Sequence, residues 1–180
     1  MIHPRSLMGP LLAIILLAAG LPNGRGQDGI SEELQIKAGL IALQCRLWTW
    51  PPGAAPAPGM PFKLGVLGKD PFQQDAVNHL TKSAAGQNLV VERFADIEAC
   101  QPCHILFVSQ AADLPAALVK VQGQPVLVIT HAPGLAKQGA VLNLVVVQNR
   151  VKMEINMSAA RNAGLTPNHG LVRNAEIVQK

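Results

Sequence analysis

Residues 100–109 read CQPCHILFVS: two cysteines, a proline and a histidine set directly before an apolar run. From His104 to Ser109 there is no polar alternation, which is the pattern of a strand buried on both faces. Strands of that kind belong to parallel sheets covered by helices on each side. The flanking sequence repeats the theme. FKLGVLG (62–68), LVVERFA (89–95) and PVLVIT (125–130) are three more short apolar strands. Helical stretches separate them: KDPFQQDAVNHLTKSA, where Asp70 is placed to cap a helix whose first residue is Pro71, and DLPAALVKV. Strands alternating with helices at this spacing predict an α/β fold, a mostly parallel sheet flanked by helices in a Rossmann-like sandwich.

After Thr130 the rhythm changes. AVLNLVVVQ and RVKMEIN are two strands separated by one turn around Asn149, an antiparallel hairpin rather than a crossover. MSAARNAGL reads as a helix with Ser158 as its cap and Gly164 as its stop, and residues 168–178 read as a second closing helix. Upstream of the body, Ser31 to Trp50 is helical, with Leu34, Ile36, Leu40, Ile41, Leu43, Leu47 and Trp48 near the spacing of one buried face. PPGAAPAPGMP then ends it.

The first 26 residues have the build of a secretory signal peptide, with Arg5 near the start, an apolar stretch from Leu7 to Ala19 and small residues after it. Residues 27–180 are then a single exported domain. Hydrophobic residues make up 49% of the chain and charged ones 14%, which suits one domain with a real core and offers no basic cluster for nucleic acid. Removing Arg5 and Arg25 leaves 13 basic against 11 acidic residues, a near-neutral balance. Export makes the cysteine count matter, since disulfides persist in an oxidising compartment. Cys45, Cys100 and Cys103 are three, so at least one of them is free, intermolecular or carrying a ligand.

C-x-x-C-H is the attachment pattern of c-type haem, and a C-x-P-C dithiol serves thioredoxin-like exchange. A covalent haem here would push a macrocycle against the sheet edge, because His104 opens a buried strand. A reactive dithiol sits at a helix N-terminus, whereas this one precedes a strand. Zinc would need two more ligands, and His79 and His131 are far off in sequence. A structural role fits better: a Cys100–Cys103 bridge, or one joining Cys45 to either. A small redox protein and a solute-binding module remain the alternatives.

Ligands of open parallel sheets bind at the carboxyl ends of the strands, here Gly68-Lys69-Asp70, Ser109-Gln110 and Thr130-His131. Lys69 and His131 are the candidates there, although GKDPF lacks the spacing of a phosphate loop. Trp48 and Trp50 are the only tryptophans, each a core residue or a partner contact. Glu154, Asn156 and Arg161 gather where the last hairpin strand meets its helix, as a Glu154–Arg161 pair, a cap or a contact. No nucleophile, base and orienting acid assemble by spacing, so no enzyme, cofactor or metal is expected.

Across residues 37–178 the sequence resembles the YfiR family of periplasmic proteins. The stretches that carry the likeness are KAGLIALQCRLWTWP, FKLGVLGKDPF, CHILFVS and PVLVITHAPGLAKQGAVLNLVVVQNRVKMEINMSAARNAGL, with EIN-x-x-AAR-x-AGL the most specific. The resemblance matches Cys103 to the cysteine that opens the family's central strand and leaves Cys100 and Cys45 as additions. It implies a non-enzymatic repressor whose partners are the periplasmic sensor domain of a membrane diguanylate cyclase, an outer-membrane lipoprotein, and a second copy in a homodimer. The expected consequence is lower cyclic di-GMP and less biofilm, with redox state as one means of release. Two departures stand out: TPNHGLVRNAEIV replaces the family's serine pair and Leu-rich helix, and the 141–156 hairpin holds no cysteine pair.

Overall fold

A computed structural model describes residues 32–72 and 89–179. The leader expected at 1–26 lies outside the described residues, as does most of the helix expected after Asp70. Helix α1 (Glu32–Leu47) leads into β1 (Trp48–Thr49), then β2 (Phe62–Leu67), β3 (Leu89–Phe94) and β4 (Ile105–Val108). A 3₁₀ turn over Ala111–Asp113 opens α2 (Leu114–Lys120), followed by β5 (Leu127–Thr130), β6 (Leu142–Val147) and β7 (Arg150–Asn156). Helix α3 (Met157–Asn162), β8 (Thr166–Pro167), α4 (His169–Asn174) and β9 (Glu176–Val178) complete the chain.

Seven strands form one sheet in the order β3-β2-β4-β5-β6-β7-β9. The five from β3 to β6 are mutually parallel, β7 returns antiparallel to β6, and β9 runs parallel to β7. This is the expected α/β sandwich with its terminal hairpin. Every residue of β4 and of β5 is buried, as the unbroken apolar runs require. Alternation then divides the core into two. Leu64, Val66, Ile105, Phe107, Leu127 and Ile129 face α1; Leu67, Leu106, Val108 and Val128 face α2 and the 132–140 segment.

The hairpin closes through Gln148 and Asn149, both at positive φ (50 and 59), the two-residue turn whose twist matches its strands. Helix α3 is capped by Asn156, whose side chain accepts from the Ala159 N–H, and not by Ser158. Its expected stop holds, since Gly164 sits at φ 69. The closing segment is a helix only over His169–Asn174. Glu-Ile-Val beyond it pairs with the edge of β7, because β-branched residues beside an open strand edge gain more from the ladder than from another turn.

Helix α1 stops at Leu47, earlier than the expected Trp50. Pro51 forces the residue before it out of the helical region, and Trp48 and Thr49 pair antiparallel with Pro167 and Thr166. Nor is its apolar set one face. Ala38, Ile41, Ala42 and Cys45 point inward with Lys37 and Gln44, while Ile36 and Leu43 are exposed.

The sheet tolerates little added bulk at β2. A Cβ on Gly65 would stand 2.9 Å from Phe94 Cε2 and 3.2 Å from both Cys103 Sγ and Leu106 Cδ1. Gly65→Ala is therefore expected to destabilise the protein by about 1–3 kcal/mol through overpacking, read as a lower urea midpoint at unchanged slope.

Candidate functional site

The chain adds β3 on one side of β2 and β4 on the other, so the sheet's switch point lies between β2 and β4. Ligands of open sheets bind outside the carboxyl ends of the strands at such a point. Here the ends are Gly68 and Ser109, with Thr130 and His131 next along. Gly68 turns the chain at φ 83, and a Cβ on it would lie 2.9 Å from Gln110 Nε2, 3.1 Å from Asp113 Oδ2 and 3.1 Å from Ser109 Oγ. The Ser109 hydroxyl is buried without a hydrogen-bond partner among the described residues. His131 Nε2 lies 2.8 Å from the Ser109 carbonyl. A carbonyl only accepts, so this nitrogen carries the proton. The ring packs on Phe107 at 5.2 Å between centroids.

Beside it runs a buried polar chain. Thr130 Oγ1 donates to Asn143 Oδ1 at 2.8 Å. Asn143 Nδ2 donates to the Ala132 carbonyl at 2.9 Å and to Glu154 Oε2 at 2.8 Å. Thr130 and Asn143 are fully enclosed, so every hydrogen bond Asn143 makes is one that folding required. Thr130 is named in the sequence only as a strand end and Asn143 not at all, yet the signal is there: each is a polar residue in an apolar strand, in LVIT and LNLVVV.

The carboxyl ends thus hold Lys69, His131 and, through Asn143, Glu154, in three different roles. Lys69 is exposed in the turn after β2. Its neighbour Asp70 accepts from the Phe72 N–H at 2.7 Å and from Arg93 Nε at 2.6 Å. Glu154 serves Asn143, and Arg161 is not its partner; Arg161 lies exposed on α3 and donates to Ser158 Oγ.

Trp48 and Trp50 are both core residues, 5% and 7% exposed, which removes them as surface contacts. Trp48 donates to Gln44 Oε1 at 2.9 Å and Trp50 to the Pro125 carbonyl at 3.1 Å. Each indole N–H is thereby satisfied inside. Trp50 packs on Phe62, which packs on His104.

CQPCH lies at the opposite end of the strands. Cys100 and Cys103 belong to the core facing α2, and Cys45 to the core facing α1. The two cores lie on opposite faces of the sheet, and all three thiols are free. Cys100 and Cys103 are hydrogen-bond neighbours. Burial pushes the Cys45 and Cys103 thiols up to about 12 and raises Cys100 as well, the reverse of an activated dithiol. The His104 ring packs on Phe62, of the other core, so thiol and imidazole diverge across the sheet instead of converging on one haem. Among the described residues no group of three or more acidic, cysteine and histidine side chains is arranged to hold a metal ion. An open cleft of about 400 Å³ lies between the end of α2 and α3, lined by Val119, Gln122, Gln138, Asn156 and Asn162 among others, away from the strand ends.

Two measurements follow. Asn143→Leu strands the Thr130 hydroxyl, the Ala132 carbonyl and the Glu154 carboxylate, and should cost about 3 kcal/mol in chemical unfolding. His104 titrates below its ordinary 6.5, chiefly through burial and then through Lys63, and its Nδ1 accepts from the Lys63 N–H at 3.0 Å. The native state favours the neutral ring, so this contribution is complete above the unfolded value and is lost as pH falls through it. Stability should therefore decline on acidification below about pH 6.5, and more shallowly in His104→Asn, which accepts without titrating.

No curated protein matches the chain. Among solved structures, the ABC domain in complex with L-Trp from Streptococcus pneumonia superposes with a TM-score of 0.56 at 13% identity, covering 78% of this chain and 60% of that one. A conserved domain protein from Vibrio cholerae O1 biovar El Tor str. N16961 gives 0.49 at 16% identity, covering 66% and 54%. The chain thus spans little more than half the length of either, and the first likeness is one of fold. Residues 34–176 match the family described as DUF4154, YfiR/HmsC-like, a span that runs from the first turn of α1 into β9 and includes both hairpin strands and the strand opened by Cys103. The protein belongs to the YfiR/HmsC-like family.

Proposed function

We propose that this protein is a non-enzymatic regulator working in the periplasm. It binds the periplasmic sensor domain of an inner-membrane diguanylate cyclase and holds it in its inactive state, which lowers cyclic di-GMP and biofilm formation. Family membership over residues 34–176 carries this reading. The chemistry of the strand ends supports it: Asp70 is spent on Arg93, Glu154 on Asn143 and the His131 N–H on a backbone carbonyl. Those are the bonds of a scaffold. Repression by binding needs only that the protein prefer the inactive cyclase, and whatever weakens that preference, an outer-membrane lipoprotein included, releases it.

The test is cellular cyclic di-GMP after deletion of the gene in its host. Levels should rise several-fold and return on expression of the exported protein, but not of one lacking residues 1–26. Unchanged levels in a host whose partner cyclase is intact would overturn the proposal.

A further inference from the structure

Regulation by binding makes no use of the thiols of Cys100 and Cys103. Their sulfurs hydrogen-bond to each other beside the core that faces α2. The turn that carries them is held at its base, where the Cys100 N–H donates to the Ile97 carbonyl at 3.2 Å and the Ala99 N–H to Asp96 Oδ1 at 2.8 Å. Gly65 in β2 makes room for the pair, since a Cβ there would stand 3.2 Å from Cys103 Sγ. A lone buried cysteine packs as a small apolar side chain. Two whose sulfurs face each other form a donor pair, and soft sulfur donors select soft ions. Gln101 and Pro102 are exposed and Cys103 is half-buried, so an ion reaches the pair through the turn without opening the sheet.

We propose that Cys100 and Cys103 bind one monovalent copper ion between their sulfurs. The number of ligands decides among metals. Among the described residues no third cysteine, histidine or carboxylate joins the pair, and the His104 ring packs on Phe62 of the other core. Zinc takes four ligands and divalent copper a square of nitrogen and oxygen, whereas two thiolates are enough for Cu(I). Binding forms two Cu–S bonds and releases both thiol protons to solvent; no electron moves. The ion and its two thiolates carry one net negative charge, which a dry site tolerates only beside a cation. Lys120, in the last turn of α2, acts on Cys100 with the sign required. Glu92, the acid that faces the pair, is itself paired with Lys63 at 3.8 Å. The inference does not rest on the cyclase reading.

The exported protein, reduced and kept under nitrogen, should retain one copper ion per chain against excess bicinchoninate. X-ray absorption at the copper edge should show two sulfur neighbours and no nitrogen or oxygen. Cys100→Ala and Cys103→Ala, each checked for folding by circular dichroism, should weaken binding by more than the roughly 10–100-fold lost with an outer-shell partner. Lys120→Gln, at an exposed position, should weaken it by about tenfold, and Cys45→Ala should leave it unchanged. Loss of the copper to the chelator overturns the proposal, as does a nitrogen or oxygen neighbour at the metal. A Cys100–Cys103 disulfide in protein taken directly from copper-fed cells overturns it too.

Discussion

Strands β2, β4 and β5 are enclosed on both faces, and the rest of the molecule is arranged around that constraint. Leu64, Ile105, Phe107, Leu127 and Ile129 on one side, and Leu67, Leu106, Val108 and Val128 on the other, are each at most 1% exposed. Leaving any one in water would forfeit roughly 1.5–3 kcal/mol, so neither covering layer can be dispensed with. Helix α1 supplies one layer; α2 and the 132–140 segment supply the other. The requirement reaches down to single atoms, as where Gly65 leaves room for Phe94 and Cys103 together. With both faces shut, the polar side chains of these strands are left to the strand ends.

That confinement explains why so much was legible from apolar runs and turn residues. HILFVS has no solvated face, so it reads as a doubly covered strand. Asn149 after VVVQ reads as a hairpin because the two-residue turn needs positive φ, and Gly164 as a stop for the same reason. What escaped the sequence depends on distant partners. The pairing of Trp48 and Thr49 with Thr166 and Pro167 joins segments more than a hundred residues apart. Residues 176–178 become a strand only because β7 presents an edge. The cap of α3 is Asn156 and not Ser158, since β7 runs straight into the helix and leaves Asn156 as the last extended residue.

The candidate site was legible as a location and not as a set of roles. Strand order alone placed Lys69, Ser109 and His131 at the carboxyl ends. The tryptophans looked equally suited to a surface or to a core; the difference is made by Gln44 and the Pro125 carbonyl, which receive the indole hydrogens inside. CQPCH misleads in a similar way. Its five residues have the composition of a cofactor motif, but a sheet sends neighbouring side chains to opposite faces. Here both thiols stay in the core facing α2, while the His104 ring, leading into β4, packs on Phe62 of the other.

The orientation of α1 shows a rule stronger than hydrophobicity at work. Turned the other way, the helix would bury Ile36 and Leu43 and expose Lys37 and Gln44. Its inward side instead sets Ile41 among the small Ala38, Ala42 and Cys45, all packed in the core that Phe107 and Ile129 fill from the sheet. The polar residues caught on that side are satisfied locally: Lys37 by Glu33 one turn earlier, Gln44 by the Leu40 carbonyl and the Trp48 indole. Burying a polar group is costly only when its hydrogen bonds go unmade. Close packing and local satisfaction together outweigh the exposure of two aliphatic side chains, Ile36 and Leu43.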